Sequence, residues 1–163
     1  MALVFEHVKE EEADKVLALY RSLVGTLFCA WTADYPSRAE VDFDLSRNAL
    51  FCLREENTGE IAGVISIDDD PKVETLTCWT PERLPGRELS RLAVWQPYQN
   101  QGIARQLMAG AMEELRRQGY RSVHILVAKE NKKALASYRV FAYEVVGECF
   151  MHEHDYWCYE KEL

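Results

Sequence analysis

The chain has 163 residues, 48% of them hydrophobic, enough for one domain over residues 1–163 whose core needs neither a disulfide nor a structural metal. Its 19 Lys and Arg stand against 27 Asp and Glu for a net charge of −8; with no basic cluster interleaved with aromatics, a nucleic-acid partner is excluded. No run of eighteen apolar residues and no basic leader with an apolar stretch occurs, so neither a membrane span nor secretion is expected.

Residues 3–8 read as a strand, and Ala13, Val16, Leu17, Tyr20, Leu23 and Val24 then recur at helical spacing in a helix that should end near Gly25. Ser37 and Glu40 have capping-box spacing and predict a helix behind Pro36, although Val41, Phe43 and Leu45 alternate with Asp42 and Asp44 as a strand would. Residues 50–54 and 61–67 are β-rich runs joined by Glu56-Asn57-Thr58-Gly59, which predicts an antiparallel hairpin. Residues 68–86, with three successive aspartates and three prolines, read as a loop with an edge strand around 73–78. From Glu88 onward the order is strand to Val94, turn, helix 103–118, strand 123–127, helix 132–141, then strands 145–150 and 156–160. That alternation implies a partly parallel sheet.

The five cysteines (Cys29, Cys52, Cys78, Cys149, Cys158) are odd in number and lack close CxxC pairing, which points to reduced thiols in a cytoplasmic protein.

The turn before the 103–118 helix is the first feature with chemistry in it. Ile103, Leu107, Met108, Ala111, Met112 and Leu115 form an apolar stripe, with Arg116, Arg117 and Gly119 at its end, so the helix starts at Gln101 to Ile103. A helix start offers N–H groups without intrahelical partners and a partial positive charge, which suits phosphate. Gly102 and Ala104 let backbone approach an anion closely, and Gln99, Gln101 and Arg105 can add donors. Taken alone, the spacing serves an ordinary strand-to-helix turn as well.

Leu92-Ala93-Val94 through Pro97-Tyr98-Gln99-Asn100-Gln101-Gly102-Ile103-Ala104 closely resembles the acetyl-CoA signature of the GNAT superfamily of N-acetyltransferases. Asn131, Ala134, Tyr138 and Tyr143 resemble the second motif of that family, with Ala142-Tyr143 where Gly-Phe is common; the match runs from about Glu88 to Gly147. The resemblance implies a single α/β domain with a mixed, mostly antiparallel sheet. About four helices flank it, and it splits between the strands ending near Val94 and Val127. It implies acetyl-CoA as acyl donor, held by Leu92, Ala93, Val94, Gln99, Asn100, Gln101, Gly102, Ile103, Ala104, Arg105, Asn131 and Tyr138. The acetyl group would pass directly to a small-molecule, peptide or protein amine in a ternary complex, without a metal. A homodimer is left open. The alternative is a sensor of the same fold that binds coenzyme A without turning it over.

Acyl transfer to an amine needs a proton acceptor, because a primary ammonium has a pKa around 10.4. Glu88 lies six residues before Val94, is expected to share a strand face with Ser90 and Leu92, and matches the general-base position of the histone-type members. Tyr138 matches the family tyrosine that protonates the leaving thiolate, and the Val94 main-chain N–H is expected to polarise the thioester carbonyl. Asn131 serves either as a coenzyme A contact or as a helix N-cap.

His152-Glu153-His154-Asp155 packs four potential ligands into one turn, yet no further ligand is evident, so the segment reads as a solvated hairpin turn or a border of the acceptor pocket. His124, inside an apolar strand, reads as a hydrogen-bonded sheet residue. Trp31, Tyr35 and Asp68-Asp69-Asp70 fall in segments that wall the acceptor site in the family and could hold a cationic amine, or are equally core residues and a charged loop.

Overall fold

The computed structural model describes residues 2–163. Seven strands, β1 (Leu3–His7), β2 (Leu50–Glu55), β3 (Ile61–Asp68), β4 (Gly86–Val94), β5 (Ser122–Ala128), β6 (Glu144–Met151) and β7 (His154–Glu162), form one sheet in the order β1-β2-β3-β4-β5-β7-β6. All neighbours are antiparallel except β4 and β5. The helices are α1 (Ala13–Leu23), α2 (Arg38–Ser46), α3 (Pro71–Glu74), α4 (Ile103–Arg117) and α5 (Lys132–Tyr138).

The period of two along the central strands divides the core. On β2 and β3, Phe51, Leu53, Ile65 and Ile67 join the cluster around the α4 residues Leu107, Met108 and Leu115, while Leu50, Cys52 and Val64 join the cluster around Val16, Leu19 and Tyr20 of α1. Alternation thus sends α4 and α1 to opposite faces. The α4 stripe is buried as its spacing requires, and Gly63 of β3 admits that helix closely: a Cβ there would stand 3.0 Å from Leu107. Arg116 and Arg117 occupy the last turn, where the helix dipole favours cations.

Local chemistry explains the ambiguous segments. Ser37 caps α2, its hydroxyl accepting from the Ala39 N–H while its own N–H donates to Glu40, so the capping box overrides the alternating 41–45 pattern. The edge strand expected around 73–78 does not form. Asp70 caps Pro71 at the first helical position, and the N–H groups of Val73 and Glu74 both turn back to the Asp70 carbonyl, making the one-turn α3 and bringing the helix count to five rather than four. Trp79 then donates its indole N–H to the Val73 carbonyl at 2.8 Å and seals a small third core. There Cys78, Cys149 and Cys158 converge, although nothing in their spacing pairs them. All five cysteines are free. The helix expected over 132–141 stops at Tyr138 and tightens to a 3-10 turn through Phe141, since Ala142 takes φ 54°. No helix among the described residues is long and apolar enough to cross a membrane.

Candidate active site

β4 and β5 run parallel and pair only over Gly86–Glu88 and Ser122–His124, after which β4 continues to Val94 and β5 to Ala128 without each other. The sheet therefore opens where sequence reasoning expected it to split. Through this opening runs a cleft of about 1250 Å³.

One half of the cleft is built from main chain. Trp95 donates its N–H to the Ala62 carbonyl, so Trp95 and Ala62 form a hydrogen-bonded antiparallel pair and Val94, opposite Gly63, falls in a non-bonded one. The Val94 N–H and C=O consequently point away from β3 and into the opening. Residues 96–98 make a 3-10 turn, Asn100 and Gly102 adopt φ of 61° and 77°, and α4 begins at Ile103. The N–H groups of its first turn have no helical partners. A Cβ on Gly102 would meet nothing within 4 Å, so this cradle is open space bordered by unpaired donors. Arg105 and Lys133 stand on the same wall.

Two side chains read as anion donors are otherwise engaged. Gln99 gives its amide to the Val94 carbonyl at 3.0 Å and Gln101 gives its amide to the Pro97 carbonyl at 2.9 Å, so both shape the turn. Arg105 reaches the Ser137 carbonyl of α5 through Nε at 3.2 Å, tying the two helices together. Asn131 caps α5, accepting from the Ala134 N–H at 3.1 Å. The cap reading of Asn131 is thus realised, and the residue also borders the cleft. Tyr138 is buried in the α4-side core and also forms part of the cleft wall; burial raises the pKa of its hydroxyl, which keeps its proton throughout the neutral range.

The other half is built from side chains. Glu88 is 5% exposed, borders the cleft, and its Oε1 has no hydrogen-bond partner. Burial, then the nearby carboxyls of Asp68, Glu74 and Asp70, push its pKa up to about 9, against a smaller opposing pull from Arg91. Register sets Asp68 of β3 directly opposite Glu88 and His124 of β5 directly beside it. His124 is buried, stacks on Trp79 with ring centroids 4.2 Å apart, and meets Glu74 through Nε2 at 3.0 Å, consistent with a bonded sheet histidine.

The expected common face of Glu88, Ser90 and Leu92 is broken. Between Ala93 and Ser90, β4 has two residues where β3 has only Ile65 between Val64 and Ser66: a bulge, with Arg91 at φ 45°. Ser90 and Arg91 both reach Asp68, and Leu92 is displaced onto the α4 face. Arg91 was not singled out by its sequence context, an arginine amid Leu89, Leu92, Ala93 and Val94 being the sole hint. It is 8% exposed and gives Nη2 to Asp44 at 2.8 Å, Nη1 to Asp68 at 3.1 Å, and Nη1 also to the Tyr35 hydroxyl. Asp44, fully buried, further accepts from Ser66 and Arg47. Burial works against the Asp68 carboxylate, yet the Arg91 guanidinium outweighs it and holds that carboxyl below the usual range.

Trp31, Tyr35, Asp68 and Asp70 all border this half, whereas Asp69 turns outward to Arg87. Of residues 152–155 only His152 and Glu153, both at positive φ, make the tight β6–β7 turn, His154 and Asp155 already pairing with Met151 and Phe150, and His154 Nδ1 meets Glu130 Oε1 at 2.9 Å. That turn closes the far rim of the cleft.

Comparison with known proteins agrees with this architecture. The chain matches the acetyltransferase (GNAT) family over residues 16–143. No curated protein matches it in sequence. Among solved structures, an N-acetyltransferase from Staphylococcus aureus Mu50 superposes with TM-score 0.76 at 19% identity, covering 99% of each chain. A ribosomal-protein-alanine N-acetyltransferase from Brucella melitensis gives 0.72 at 22% identity, covering 99% of this chain and all of its own. A Salmonella typhimurium protein solved with its cofactor acetyl-CoA gives 0.74 at 15% identity, covering all of this chain and 95% of its own. Likenesses at such identity speak for the fold.

Proposed function

The chain belongs to the acetyltransferase (GNAT) family, and from that premise we propose that it moves the acetyl group of acetyl-CoA directly onto an amine held in the same cleft. The observation that carries this reading is the cleft itself, where an open cradle of unpaired N–H groups at Gly102 is continuous with a buried, unpartnered acid at Glu88. Such a cradle fits the pyrophosphate of coenzyme A, with Ile103, Ala104 and Arg105 giving main-chain donors, Asn100 and Gln101 shaping the approach, and Leu92, Ala93, Val94 and Asn131 along the pantetheine path. Bound there, acetyl-CoA supplies an acetyl group already activated as a thioester.

The residues of the chain would do the rest. Glu88 receives the amine: a neutral acid beside a neutral amine holds the same proton as a carboxylate beside an ammonium, so an arriving cation lowers the pKa of Glu88 and makes it the proton acceptor. The Val94 N–H, turned into the opening, lies free to bond the acyl oxygen. Tyr138 keeps its hydroxyl proton available for the leaving sulfur. No side chain need be acylated. The five free thiols suit a reducing, cytoplasmic setting.

A thiol-release assay with acetyl-CoA and a panel of amines tests the reading. Turnover should appear for at least one amine, and Tyr138→Phe should lower kcat by about a hundredfold while coenzyme A affinity stays put. Coenzyme A binding without turnover of any amine would instead make the protein a sensor.

A further inference from the structure

The two halves of the cleft differ in charge. The half at the start of α4 carries Arg105 and Lys133 and no acid, whereas the half around Glu88 carries Asp68, Asp70 and Glu153. Its one guanidinium, Arg91, is held by Asp44 and Asp68, and of its two histidines His154 is already on Glu130.

Around Glu88 five carboxyls, from Asp44, Asp68, Asp69, Asp70 and Glu74, face three guanidiniums, from Arg47, Arg87 and Arg91, and the exposed ammonium of Lys72 on α3. With histidine counted as neutral, one negative charge is left uncompensated before Glu88 itself ionises. One ammonium therefore balances Glu88 and leaves the neighbourhood still negative. Asp70, half-buried and on the cleft wall, is the acid positioned to use that excess: its Oδ1 accepts only the Lys72 N–H of its own cap. Trp31, Tyr35 and Tyr156 border the same half and offer ring faces to cations and to methylene chains.

From this we infer that the acceptor is a dicationic amine, one ammonium meeting Glu88 and a second within reach of Asp70, so that diamines and polyamines are taken and amines bearing a carboxylate are refused. The inference rests on reading the cleft as an acyl-transfer site. An acceptor carboxylate would find no free cation in this half, and Asp70 would repel it.

Calorimetric titration of the CoA-loaded full chain with 1,4-diaminobutane, 1-aminobutane and 4-aminobutanoate at physiological ionic strength tests the inference. The diamine should bind about tenfold tighter than the monoamine, and the amino acid weakest. Asp70→Asn keeps a good helix cap but should shrink the advantage of the diamine severalfold, while Glu113→Gln on the far face should leave it intact. Equal affinity for diamine and monoamine, an advantage insensitive to Asp70→Asn, or one equally lost in Glu113→Gln would overturn the inference. The two readings fail separately. A protein that prefers the diamine yet acetylates no amine of the panel keeps the selectivity of the cleft for dications and loses the transferase reading. One that acetylates 1-aminobutane and 1,4-diaminobutane with equal affinity and kcat/KM does the reverse.

Discussion

Where the cofactor would sit, the polar groups on offer are main-chain N–H groups, from Val94 and the first turn of α4, presented by one uninterrupted segment of chain. Where the acceptor would sit, they are side chains from β3, β4 and the segment of α3, with Asp68 and Glu88 brought together by strand register and Arg91 held against them by the buried Asp44 of α2. A backbone site tolerates any residue that leaves the main chain accessible, so its constraint falls on conformation. A side-chain site constrains identity and holds the fold as it does so. Substitutions should accordingly damage binding at the first and stability at the second.

The largest effect is expected at Asp44→Ala. Asp44 is fully buried and accepts from Arg91, Arg47 and Ser66, and removing one partner of a buried ion pair costs about 3–5 kcal/mol. Urea denaturation should show a drop of that size; a loss under about 1 kcal/mol would mean that the network adds little to the fold. At the backbone site the order reverses. In Gly102→Glu the new Cβ meets no atom within 4 Å and carries a left-handed strain of about 1–2 kcal/mol, yet the substitution should weaken coenzyme A binding by about a hundredfold through its charge. Unchanged affinity would remove the pyrophosphate from this turn.

Glu88 sharpens the contrast through pH. Its pKa is raised from 4.5 to about 9 in the folded state, so between those values the native protein holds a proton that the unfolded chain releases, and stability falls as pH rises through that window. Glutamine has no such proton. The melting temperature of Glu88→Gln relative to wild type should therefore climb by about 10 °C from pH 5 to pH 9. A difference that stays flat would show that water reaches the carboxyl. The smallest effect belongs to Asn131: alanine should cost about 1 kcal/mol and aspartate, an equal cap, should restore it. Failure of aspartate to rescue stability would point to a role beyond the cap.

The same contrast explains what could be read from the chain beforehand. The α4 stripe, the Ser37–Glu40 capping box and the β2–β3 hairpin each depend on residues within a few positions of one another, and each is where its pattern puts it. The cradle at Gly102 was legible for that reason too. The Arg91 network joins residues up to 56 positions apart through a register that a one-residue irregularity decides, and no local pattern announces it. Strand 73–78 was misread because the β-rich letters of Val73 and Thr75 outweighed the stop that Asp70-Pro71 imposes.

The bulge in β4 makes the strand behave like a reading frame. Upstream of Arg91 one parity of residues faces the acid-lined side; downstream the other parity does, with Ala93 packing against α1 and Leu92 and Val94 against α4. Removing one residue between Leu89 and Ala93 would merge the two frames: Val94 could stay opposite Gly63, but two successive side chains such as Ser90 and Arg91 could no longer both reach Asp68. The extra residue thus sets how many polar groups the strand can place side by side on the acid-lined face, a property of chain length that no single side chain supplies.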